Sequence, residues 1–151
     1  MALQTYPRIG ALTFLVVDDS VIMRRLIKRA LRDLGVTRIV EAGNSNAAWS
    51  ALHAGGVDFI LCDWNMPGGT GIDFLSRVRE NPTFSALPFL MISAESKTEN
   101  IMQAIRNGVS NYLTKPFTTE ILARKIIAIL DQTCPGWDSE RPAAAPSDTG
   151  S

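Results

Sequence analysis

Three features of the sequence predict an α/β fold in which a single domain forms a doubly wound parallel sheet of five strands. Short apolar runs alternate with amphipathic stretches, several runs stop abruptly at an acid or hydroxyl, and caps or glycines punctuate the amphipathic stretches. The strand-like runs fall at 14–17, 38–42, 59–62, 89–92 and 111–114.

The first run, Phe14 to Val17, is continuous and apolar, as suits a strand buried on both faces, and it leads straight into Asp18, Asp19 and Ser20. Ligands of open α/β sheets bind at this C-terminal edge, although Asp-Asp-Ser is also an ordinary helix start with Asp or Ser as cap. Met23, Ile27, Ala30, Leu31 and Leu34 then recur at helical spacing, and Gly35 is the stop. The other face of this helix carries Arg24, Arg25, Lys28, Arg29 and Arg32. Such a run reads as a solvated face or as a docking surface for an acidic partner.

Asn44 caps a second helix reaching about Ala54 before Gly55-Gly56, and Thr70 caps a third over "GIDFLSRVRE". A fourth is expected over 96–107 before Gly108, and a fifth after Thr118 with Ile121, Leu122, Ile126, Ile129 and Leu130 inward. The expected organisation is an N-terminal lead over 1–10, the domain over 11–132 and a tail over 133–151. The tail's Pro, Ala, Ser and Gly content reads as disorder.

Composition narrows the function. With 15 acidic and 15 basic residues there is no electrostatic footprint for nucleic acid. The apolar runs are too short to span a membrane, and the N-terminus lacks the pattern of a signal peptide, so a cytoplasmic protein is expected. Cys62 and Cys134 have neither metal nor redox spacing and read as bystanders.

The chemistry gathers at one sheet edge. "FILCD" ends the third strand in Asp63, which parallel strands place beside Asp18 and Asp19. Three carboxylates there would raise one another's pKa unless a cation sat among them, and an all-oxygen set with a phosphate suits Mg²⁺. The fourth strand ends at Ser93 and the fifth leads to Lys115. A carboxylate nucleophile, a divalent cation, a hydroxyl and an ammonium are what phosphoryl transfer requires.

The motifs "VVDDS", "CDWNMP", "MISAE" and "NYLTKPF" together resemble those of response-regulator receiver domains, and most closely the stand-alone chemotaxis regulators of that family. The likeness covers roughly residues 11–131 and implies a flavodoxin-like strand order, 2-1-3-4-5. It implies that Asp63 accepts a phosphoryl group from a histidine kinase, and that Asp18, Asp19, Asp63 and the backbone carbonyl of Asn65 hold Mg²⁺. Lys115 would pair with the carboxylate and then the phosphoryl oxygens, while Ser93 would bond the phosphoryl group and draw Tyr112 inward as the switch. Lys115-Pro116 would be a cis peptide, and Asn65 and Glu95 would set the phosphoryl lifetime. Output would pass through the fourth helix, fifth strand and fifth helix to a protein target such as the flagellar motor switch, with Ile101, Ala104, Ile105 and Lys125 as contacts. A monomer with intrinsic autophosphorylation and autodephosphorylation, rather than an enzyme, is implied.

One stretch departs from the family pattern. After "MP" the run is "GGTG", with Thr70 in the usual acidic place and added glycine freedom beside the site. The alternatives are a phosphorelay intermediate, a receiver fragment of a larger regulator, and a Mg²⁺-dependent phosphohydrolase, which would carry Asp-x-Asp where this chain has Asp-Asp. About 20 residues follow the last helix, too few for a DNA-binding or catalytic domain, so output by protein binding is expected. Trp64 reads as packing or surface, and His53, the only histidine, as a surface residue.

Overall fold

The computed structural model describes residues 8–66, 69–94 and 97–137. Five parallel strands, β1 (Thr13–Val17), β2 (Arg38–Ala42), β3 (Phe59–Asp63), β6 (Phe89–Ser93) and β7 (Asn111–Thr114), form one sheet in the order β2-β1-β3-β6-β7. The two-residue strands β4 (Asn65–Met66) and β5 (Gly69–Thr70) make a separate antiparallel ribbon beside the edge where β3 ends. The fold is the doubly wound one expected, in the expected strand order.

Alternation of side chains along the strands divides the core into two layers. Phe14, Val16, Phe59, Leu61, Leu90, Ile92 and Leu113 face α1 (Val21–Leu34) and α5 (Thr119–Thr133). Leu15, Val17, Ile60, Cys62, Met91 and Tyr112 face α2 (Ser45–Ala54), α3 (Gly71–Glu80) and α4 (Thr98–Arg106). Of the three central strands, β3 and β6 are buried throughout and β1 from Phe14 on, while β2, at the sheet edge, keeps Arg38, Val40 and Glu41 exposed.

Four of the helices, α1, α2, α3 and α5, start where the sequence places caps, whereas α4 follows Lys97 with no side-chain cap. Ser20 Oγ, Asn44 Oδ1 and Thr118 Oγ1 each accept a backbone N–H of the first turn. Thr70 and Asp73 form a reciprocal capping box on α3, so threonine in the acidic position still closes that helix. Gly35 ends α1 at φ 107°, a left-handed conformation that favours glycine.

Three expectations shift. The folded body starts before residue 11, since Ile9, in a short 3-10 turn (Ile9–Ala11), is fully buried in the core. It also ends later than 132. α5 continues through Thr133, and Trp137 folds back on the core, its indole N–H donating to Asp131 Oδ1 at 2.9 Å. Residues 138–151 of the expected tail lie outside the described residues, as do Ser96, the expected start of the fourth helix, and Glu95. Finally, Ala104 is fully buried against the α2–α3–α4 side of the sheet and is no surface contact; Met102, Ile105 and Ile121 are the exposed large apolar residues of α4 and α5.

Candidate functional site

Carboxylate oxygens of Asp18, Asp19 and Asp63 lie within 4.8 Å of one another at the C-terminal ends of β1 and β3. The parallel register that sets Val17 beside Cys62 brings the next residues, Asp18 and Asp63, to the same edge. Asp18 and Asp63 are buried, whereas Asp19 is exposed. Asp18 also shapes the turn into α1, with Oδ1 accepting the N–H of Ser20 at 2.9 Å. The cap falls to Ser20, which leaves Asp18 and Asp19 at the site.

Lys115 joins two of these acids, its Nζ donating to Asp18 Oδ2 and to Asp63 Oδ1 at 3.2 Å each. Its place is set by the backbone, since Lys115 N–H donates to the Ser93 carbonyl at 2.7 Å. Ser93, opposite Thr114 in the sheet, is fully buried. Lys115-Pro116 is cis, as the resemblance implies.

Burial, and then the Asp18 carboxylate, push the Asp63 carboxyl above its ordinary pKa, with Lys115 opposing. One ammonium thus faces three carboxylates. Hard oxygen donors carrying surplus negative charge fit Mg²⁺ better than a soft metal. Asn65, two residues past Asp63, has an exposed side chain and lies in the β4–β5 ribbon. Buried Cys62, whose thiol pKa burial pushes well up, is inert and stands outside this chemistry.

Tyr112 on β7 is largely buried, its ring edge-on to Trp64 at 6.3 Å between centroids. Trp64 therefore packs on Tyr112. His53 is exposed at the end of α2 among Trp49 and Phe84, away from the acids.

Two contributors were not singled out in the sequence. Gly71 lies under the loop, where an added Cβ would stand 2.3 Å from the Asp63 carbonyl oxygen, so close backbone approach, and not freedom, requires glycine here. Arg24 belongs to the basic run of α1, yet its Nη1 donates to the Asp18 carbonyl. A glycine directly after a helix cap was the available signal for the first; nothing local marked the second.

Residues 14–127 match the family described as the response regulator receiver domain. The chain belongs to that family. It is 48% identical over 118 residues to the chemotaxis protein CheY of Pseudomonas aeruginosa, covering 78% of this chain and 95% of that one. The chemotaxis protein CheY-3 of Vibrio cholerae is 44% identical over 118 residues, covering 78% and 91%. Among solved structures, the chemotaxis response regulator CheY4 of Vibrio cholerae superposes with a TM-score of 0.74 at 29% identity, covering 79% of this chain and 98% of that one. This receiver domain is thus CheY-like, a signalling protein, and its relatives favour chemotaxis. Among the described residues, no helix is long and apolar enough to cross a membrane.

Proposed function

We propose that this receiver domain takes a phosphoryl group onto Asp63 from the phosphohistidine of a histidine kinase. Mg²⁺ would be held by Asp18, Asp19, Asp63 and the backbone carbonyl of Asn65. The observation that carries this reading is the single lysine, Lys115, shared at 3.2 Å by Asp18 and Asp63 within a cluster of three carboxylates. In the step proposed, a carboxylate oxygen of Asp63 attacks phosphorus, the P–N bond to the donor imidazole breaks, and that nitrogen keeps the electron pair. The divalent cation would neutralise charge on the phosphoryl oxygens. Lys115 keeps the Asp63 carboxylate oriented and then follows the new negative charge, and Ser93 is the neighbouring hydroxyl at the end of β6.

Output follows from the same edge. Added charge at Asp63 draws on Ser93, and Tyr112 responds one strand away. Such a signal shifts the population of two pre-existing conformations. The surface so altered, α4, β7 and α5, would bind a protein target in chemotaxis, with the flagellar motor switch as one candidate. The proposed actor is a cytoplasmic monomer. Incubation with a radiolabelled, autophosphorylated chemotaxis histidine kinase and Mg²⁺ should move label to the parent chain and not to Asp63→Asn. Equal labelling of both would overturn the assignment.

A further inference from the structure

Asp19 is the one member of the carboxylate cluster that no side chain holds. Among the described residues its carboxylate makes no hydrogen bond or ion pair, whereas Asp18 and Asp63 share Lys115. Only the backbone aims it. The peptide that leads into Asp19 is the one whose carbonyl belongs to Asp18, and that carbonyl accepts Nη1 of Arg24. Arg24 is itself fastened to β2, its Nε donating to Glu41 Oε1 at 3.1 Å, while Lys28 donates to Glu41 Oε2 at 2.8 Å. Next to Glu41, the Ala42 carbonyl accepts the Asp18 N–H at 3.0 Å. The end of β2 therefore grips Asp18 on both sides, directly at its N–H and through Arg24 at its carbonyl.

We propose that Arg24, anchored by Glu41, is a positioning residue that fixes the Asp18–Asp19 peptide and so aims Asp19 at the divalent cation. The inference rests on the metal reading of the carboxylate cluster. The sign of the effect separates positioning from charge. A guanidinium near a dication repels it, so if Arg24 acted through its charge alone, its removal would tighten metal binding. Acting through Asp19, its removal must loosen binding, and must do nothing further once Asp19 has lost its charge.

The test titrates the full chain with Mn²⁺ and follows the free ion by electron paramagnetic resonance. Arg24→Gln should weaken Mn²⁺ binding about tenfold, the scale on which groups that orient metal ligands act. Arg24→Gln combined with Asp19→Asn should bind no more weakly than Asp19→Asn alone. Glu41→Ala, which keeps the guanidinium but releases it, should shift affinity in the same direction and guards against a folding defect in the first variant. Unchanged or tighter binding in Arg24→Gln and Glu41→Ala, or fully additive losses in the double variant, would overturn the inference while leaving the metal site intact. Failure of the parent to bind Mn²⁺ would instead overturn the metal reading, and this inference with it.

Discussion

At Asp63, burial and the neighbouring Asp18 carboxylate raise the pKa, and Lys115 offsets this only in part. A carboxyl whose folded pKa exceeds its unfolded value opposes folding fully above the folded pKa, and the cost disappears as pH falls through the interval down to the unfolded value. Metal-free Asp63→Asn should therefore be more stable than the parent at neutral pH, by ~1 kcal/mol in urea unfolding, the low end of what replacing a buried charge gives. The advantage should fade on acidification through that interval and narrow when Mg²⁺ stabilises the parent by mass action. A metal-free Asp63→Asn that is less stable at neutral pH would mean that the Lys115 pairing outweighs the burial. The other site residues divide by what holds them. Lys115 and Ser93 are located by strand register and a backbone hydrogen bond, Asp19 by its backbone alone.

Among the elements, β3, β6 and β7 lie side by side, with Asp63 opposite Ile92, the residue before Ser93, and Tyr112 opposite Met91, two residues before Ser93. Trp64 closes the path, following Asp63 in the chain and touching Tyr112 in space. That contact makes its indole a reporter of both ends of the proposed switch. In a background with Trp49 and Trp137 replaced, Mg²⁺ and then beryllofluoride, a phosphoryl mimic, should change Trp64 emission in two steps. Ser93→Ala should retain the Mg²⁺ step and lose much of the second, because the hydroxyl proposed to couple the site to Tyr112 is gone. A full second step in Ser93→Ala would show that the indole senses Asp63 directly and that Ser93 carries no coupling. In the proposed output face α4 presents its exposed Met102 and Ile105; Ala104 is locked into the core and cannot serve as contact.

The whole molecule was legible wherever local chemistry decides structure. Caps at Ser20, Asn44, Thr70 and Thr118, the stop at Gly35 and apolar runs ending in acids were enough to place five strands, five helices and a shared acidic edge. What escaped depends on partners distant in sequence. Arg24 looks like the other basic residues of α1, and the Glu41 that distinguishes it is 17 residues away. Trp137 follows a Pro-Gly in a stretch whose composition suggests a tail, but its ring finds the core and its N–H finds Asp131. Gly71 matters because of a carbonyl that the fold, not the helix, brings near. The central claim remains that this architecture exists to place a phosphoryl group on one carboxylate. Reductive trapping tests it most directly, since borohydride converts an aspartyl phosphate to homoserine, which peptide mapping then locates. After treatment with acetyl phosphate and Mg²⁺, the account predicts homoserine at position 63 and at no other position; homoserine at position 18 or 19, or at 63 to the same extent when Mg²⁺ is chelated, would contradict it.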